Sequence, residues 1–204
     1  VLVEKNGRVI ETHECEDPLV FVDSFQTRFK VPEIEGLPKF NGGLVGYFAY
    51  DTIRYTEPRL AKTDDIDPLN TPDILLMVSD QLVVFDNLSG KLMVIYHVDP
   101  TQEDALPLAE TILDTLVHRL RTMSSALSNF NGVQQPVQGE GFASGFNQED
   151  FETAVDTIKD YILSGDVKQA VISQRMSISY DAPPLDLYRS LRCLAPTPYM
   201  YFLN

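Results

Sequence analysis

The chain opens with two short apolar runs, Val1-Leu2-Val3 and Val9-Ile10, either side of Asn6-Gly7, and Val1 to Cys15 looks like strand material. Asn-Gly between apolar runs supplies the positive φ angles of a two-residue turn, so the pattern predicts a β-hairpin. From Leu19 to Lys30 the period lengthens, with Leu19, Val22, Phe25 and Phe29 on one helical face. Gly42, Gly43 and Gly46 then lead into a strand-like aromatic run, Tyr47-Phe48-Ala49-Tyr50. Ile74 to Phe85 and Lys91 to Val98 are apolar and β-branched, and Asp86-Asn87-Leu88-Ser89-Gly90 between them predicts a second hairpin. Thr101 to Leu127 predicts a long helix. Leu108, Ile112, Leu116 and Leu120 repeat along it, Thr101 with Asp104 resembles a capping pair, and Pro107 is tolerated only in the first turn.

The Ser, Asn, Gln and Gly content of residues 124–146 predicts a linker or long excursion between an N-terminal block, 1–123, and a C-terminal block, 147–204. In the second block Asn147 is a helix N-cap, and Phe151, Ala154, Val155, Ile158, Tyr161 and Ile162 form an apolar stripe. Gly165 supplies the stop. Val167 to Ile178 predicts a strand, about Leu185 to Cys193 a short helix with Leu187, Tyr188 and Leu191 inward, and Tyr199 the start of a closing strand. Strands and helices mixed in this way, with several hairpins, point to an α+β fold.

Composition narrows the function classes. The formal net charge is −14, which argues against nucleic acid and against anionic membrane surfaces, since both need clustered Lys and Arg. Cys15 and Cys193 are far apart without metal-ligand spacing, which fits a reducing cytoplasm. No apolar run approaches the roughly 18 residues that span a bilayer. The chain begins Val1-Leu2-Val3 and stops within the apolar run Tyr201-Phe202-Leu203, so both ends are expected to be cuts.

Three segments could carry chemistry. On the predicted strand 167–178, one face holds Ala170, Ile172, Met176 and Ile178, with Gln174 as the exception. The other face holds Gln169, Val171, Ser173 and Arg175. That second face is either the wall of a cavity or a polar sheet surface. Gly42-Gly43-Leu44-Val45-Gly46-Tyr47-Phe48-Ala49-Tyr50-Asp51 lacks the Lys-Ser/Thr of a P-loop and the strand–Gly–helix order of a dinucleotide site. Its glycines fit unusual dihedrals or close backbone packing, and Asp51 can pair with Arg54. Pro196-Thr197-Pro198-Tyr199-Met200-Tyr201-Phe202 is either a wall for a planar apolar ligand or a buried strand after a Pro-rich turn. His13, His97 and His118 are isolated and suggest no metal site.

The segments 42–51, Phe142-x-Ser144-x-Phe146, Gly165-Asp166-Val167-Lys168-Gln169-Ala170-Val171-Ile172-Ser173-Gln174-Arg175 and Pro198-Tyr199-Met200-Tyr201-Phe202 occur in that order. Together they resemble the large, chorismate-binding subunits (component I) of anthranilate synthase, over nearly the whole chain. The resemblance implies a lyase that makes anthranilate and pyruvate from chorismate and ammonia in tryptophan biosynthesis. It implies Mg²⁺, a glutamine amidotransferase partner that supplies ammonia, allosteric inhibition by L-tryptophan and a cytoplasmic location. The implied fold is α+β, with two facing sheets and outer helices. On this resemblance the chain is an N-terminal fragment. Metal carboxylates and chorismate-binding motifs are expected beyond Asn204, and the 204 residues are expected to be inactive alone.

Pro198, Tyr199 and Met200 match the family's Pro-Tyr-Met segment of the tryptophan site; its Leu-Leu-Glu-Ser partner motif is absent. Gln169 stands where related isochorismate and salicylate synthases have a water-activating Lys. An amide does not titrate in the useful range, so Gln169 suits ammonia as nucleophile. The alternatives are aminodeoxychorismate synthase, which shares the Gly-Tyr-x-x-Tyr-Asp and Gln-Arg regions, and a non-catalytic tryptophan-binding module. The Pro-Tyr-Met-Tyr-Phe run favours anthranilate synthase.

Overall fold

The structure is a computed structural model describing residues 1–61, 69–122 and 141–204. The chain forms two compact units, Val1–Leu127 and Ser128–Asn204. The α+β expectation holds, and the described strands pair in four antiparallel two-stranded ladders.

In the first unit, β1 (Leu2–Lys5) and β2 (Arg8–Thr12) form the N-terminal hairpin. Its turn has φ +53° at Asn6 and +71° at Gly7, the double positive φ that favours Asn-Gly. Helix α1 (Pro18–Gln26) starts at Asp17, whose side chain accepts from the Leu19 N–H, with Pro18 at the first helical position. It stops before Phe29, so the expected face loses its last member. Phe29 instead follows Phe25 as a ring neighbour at 5.5 Å.

Arg28 packs its guanidinium 4.7 Å from the Phe25 ring centre and donates to both Glu11 oxygens, at 2.8 and 3.1 Å. His13 meets the same carboxylate at 2.8 Å. The Arg28 bond first, then the His13 bond, holds the Glu11 carboxyl below the usual carboxylate range. A depressed folded-state pKa contributes stability above the unfolded-state pKa, and that stability is lost as pH falls through the folded value. Stability of this unit is therefore expected to decline on acidification below the ordinary glutamate range. Glu11→Gln should flatten that part of a melting-temperature profile against pH.

Strands β3 (Gly43–Phe48) and β4 (Ile74–Ser79) pair from Gly43↔Ser79 to Phe48↔Ile74. Strands β5 (Gln81–Asp86) and β6 (Lys91–Tyr96) pair from Gln81↔Tyr96 to Asp86↔Lys91. The Asp86 carboxylate closes the second turn by accepting from the backbone N–H groups of Leu88 and Ser89. The apolar run 74–85 is thus two strands. Asp80 divides it because its carbonyl leaves the β4 ladder and accepts from the His97 N–H at 2.8 Å.

Helix α2 (Ala105–Thr122) lies against β6, and the two buried apolar residues among those described, Ile95 and Ala109, belong to these elements. Its inward stripe is Ala105, Ala109, Ile112, Leu113, Leu116 and Val117, while Leu108 and Leu120 are exposed. A strict i+4 row drifts by about 40° per step on a 3.6-residue helix, so its two ends rotate off the packed face. The expected Thr101–Asp104 cap is replaced by a turn in which Asp99 accepts from the Thr101 N–H and hydroxyl. The helix therefore starts later, with Pro107 in its first turn. Residues 123–127 of the expected helix, and most of the 124–146 segment, lie outside the described residues.

The second unit holds β7 (Ala143–Ser144), α3 (Gln148–Ser164), β8 (Met176–Ser177) and α4 (Pro184–Leu194). Helix α3 begins at Asn147, whose Oδ1 accepts from the Asp150 N–H at 2.8 Å. Phe146 packs edge-on against Phe151 at 5.7 Å, a hydrophobic staple across the cap. It ends at Gly165 with φ +83°, a left-handed cap that glycine adopts without a Cβ clash. Phe151, Ala154, Val155 and Ile158 of its stripe are half-buried, but Tyr161 and Ile162 are exposed.

Two expected strands are not formed among the described residues. Of 167–178, only Met176–Ser177 pair, with Ser144 and Ala143, and the segment from Tyr199 joins no ladder. A strand is defined by its neighbour's N–H and C=O groups, and β7 is only two residues long. Within α4, Tyr188 is half-buried against Phe202 at 5.8 Å, whereas Leu187 and Leu191, expected inward, are exposed.

Candidate functional site

The glycine-rich segment 42–51 is built by close approach. A Cβ on Gly46 would lie 1.8 Å from the Leu75 carbonyl oxygen, so the β3–β4 ladder closes only over a bare Cα. Gly42, at φ +155°, sits where a Cβ would meet the His97 Nε2 at 2.6 Å. That imidazole nitrogen lies 2.6 Å from the Asn41 carbonyl oxygen, tying the start of β3 to the end of β6. Asp51 pairs with Arg54 at 3.0 Å, as the sequence suggests. Tyr55 donates to Asp73 at 3.2 Å, and burial first, then that carboxylate, pushes its phenol up. The motif is thus a packing device, with an open apolar groove beside it lined by Leu19, Tyr50, Ile53 and Leu60.

The second unit joins two of the ordered motifs. The Gln174 Nε2 donates to Ser144 Oγ at 2.7 Å and to the Phe146 carbonyl at 2.9 Å. Ser144 Oγ also donates to the Phe146 carbonyl at 2.9 Å and accepts from the Phe146 N–H at 3.1 Å. One hydroxyl donor and two acceptor positions are therefore all used. Gln174, the exception on the apolar face in the sequence, is explained by Ser144. Gln174 is exposed and lies just before β8, and Ser144 of the neighbouring motif is the polar side chain it pairs with.

The sequence-expected site residues are more open. Gln169, Ser173 and Arg175 are exposed, and Ile172 is the one half-buried residue from 166 to 178. Pro198 is exposed, Tyr199 is 92% exposed and Met200 is half-buried. Thr197 Oγ1 donates to the Tyr199 carbonyl at 3.0 Å and shapes the turn into this segment. Among the described residues no group of three or more His, Cys, Asp or Glu could hold a metal ion. They do not fit a Mg²⁺ site. No helix among them is long and apolar enough to cross a membrane.

The α+β chain as a whole matches a known class. The family model of chorismate binding enzymes matches residues 4–204, and the chain belongs to that family. Its relatives include proteins named anthranilate synthase component 1. That of Pseudomonas putida is 51% identical over 204 residues, covering 100% of this chain and 41% of the relative. That of Pseudomonas aeruginosa is 50% identical, covering 100% and 42%. The crystal structure of anthranilate synthase component I from Streptococcus pneumoniae superposes with a TM-score of 0.73 at 31% identity, covering 98% of this chain and 43% of that one. The chain thus spans about two-fifths of the length of these relatives.

Proposed function

We propose that this chain is part of the large subunit of anthranilate synthase, which converts chorismate and ammonia to anthranilate and pyruvate in tryptophan biosynthesis. The observation that carries the proposal is the 51% identity to a protein named anthranilate synthase component 1, extending over all 204 residues. Gln169 would line the reaction site. Its amide can hold ammonia by hydrogen bonds but cannot deprotonate water, which suits an amine nucleophile. Pro198, Tyr199 and Met200 would form one wall of a regulatory tryptophan site. Tyr199 offers a free ring face and Met200 an adaptable thioether.

The same proposal includes a glutamine amidotransferase partner, a cytoplasmic location and Mg²⁺ held by carboxylates other than those described. It also has the 204 residues, taken alone, forming no anthranilate. The test is complementation with the complete reading frame. It should restore growth without tryptophan to a bacterium lacking the anthranilate synthase large subunit. Rescue of a p-aminobenzoate auxotroph instead would reassign the chain to aminodeoxychorismate synthase. Tryptophan binding with rescue of neither strain would make it a binding module.

A further inference from the structure

The β7–β8 ladder has two backbone pairs, Ala143↔Ser177 and Ser144↔Met176. Continuing that register would set Phe146 opposite Gln174. There the backbone ladder has stopped, because Phe146 already staples the start of α3. The Phe146 carbonyl is taken instead by the Gln174 side chain, whose second N–H reaches Ser144 Oγ. Ser144 is the diagonal same-face neighbour of Gln174, the cross-strand offset at which side chains meet.

We propose that Gln174 is a register lock: its side-chain amide stands in for a missing ladder pair and fixes which face of the 167–177 segment each residue occupies. Side chains alternate along a strand, so a one-residue slip exchanges the faces completely. Continued from the β7–β8 register, strand alternation would put Gln174 and Ile172 on one face and Gln169 and Ser173 on the other. Among the described residues this ladder has two backbone pairs, so the two Gln174 side-chain bonds are a large share of what ties the segments together. Gln174 is in this sense a positioning residue for Gln169, and that part of the inference rests on the proposed ammonia-using function.

The lock is tested first without reference to activity, in the protein expressed from its complete reading frame. Ala143→Cys with Ser177→Cys places two thiols on directly opposed positions. Oxidation should crosslink them readily in the parent, and about fivefold more slowly when Gln174→Met removes both donors at similar volume. Ser144→Ala should slow crosslinking as well, and Ser144→Thr, which keeps the hydroxyl, should restore it. Equal crosslinking with Gln174 and with Met at this position overturns the lock.

The positioning role is read separately, from ammonia-dependent anthranilate formation without the crosslinking cysteines. Gln174→Met should lower kcat/KM for ammonia by roughly tenfold, the scale of two lost hydrogen bonds, with KM for chorismate little changed. An unchanged ammonia kcat/KM in Gln174→Met, against an active parent, overturns the positioning role. An inactive parent overturns the proposed function instead, and the crosslinking result still decides the lock. Should Gln174→Met not fold, the Ser144→Ala and Ser144→Thr pair decides both parts in the same way.

Discussion

Gly46→Ala is expected to abolish folding of the first unit. The added Cβ would lie 1.8 Å from the Leu75 carbonyl oxygen, 2.8 Å from its carbon and 2.9 Å from the Leu76 Cα. All three are backbone atoms, so no rotamer change relieves the clash. Relief requires separating β3 from β4 within the ladder Gly43↔Ser79 to Phe48↔Ile74. The loss should exceed about 4 kcal/mol, the far tail of single substitutions and a large share of a domain's total stability.

Gly43→Ala is the contrast. Its nearest neighbour to a Cβ is a Phe40 ring carbon at 4.0 Å, so it carries only the strain of φ +132°, about 1–3 kcal/mol. Circular dichroism melts and soluble yield of the two variants, expressed from the complete reading frame, check the difference. A Gly46→Ala protein that melts like the parent would contradict the described ladder.

On the proposed function, Gln169→Lys should change which nucleophile attacks chorismate. A neutral amine can take a proton from water, and a positioned general base typically contributes about 10²–10⁴ in rate. A hydroxylated, water-derived product should therefore rise by about 100-fold, while anthranilate formation from ammonia falls. Product separation after incubation with chorismate, Mg²⁺ and ammonium measures both. Undiminished anthranilate with no water-derived product would remove Gln169 from the reaction site.

Where local chemistry decides structure, the sequence reads well. Asn6-Gly7 announces its turn, and Asn147 and Gly165 bracket α3, because each acts on backbone groups within a few residues. Where the deciding contact is distant, the sequence misleads. Residues 167–175 have strand composition, but pairing depends on a partner, and β7 offers only two residues. The break at Asp80 is set by the N–H of His97, the residue just after β6. On α2 the leucine row 108–120 looks like the core face. Small Ala109 marks the true line of contact, since it is buried on the helix that lies against β6.

The candidate site follows the same division. Gly46 is legible as a close-packing glycine, and Gln174 is visible only as a misfit until Ser144 is set beside it. Gln169 and Pro198–Met200 stand out through family resemblance, since spacing alone equally suits a polar sheet surface and a buried strand.

The most direct test is product identity. The protein expressed from its complete reading frame is incubated with chorismate, ammonium and Mg²⁺, and anthranilate is followed by its fluorescence and confirmed by mass. Accumulation of anthranilate with pyruvate is the predicted result. Accumulation of aminodeoxychorismate, or chorismate left unconsumed by a folded protein, would contradict it.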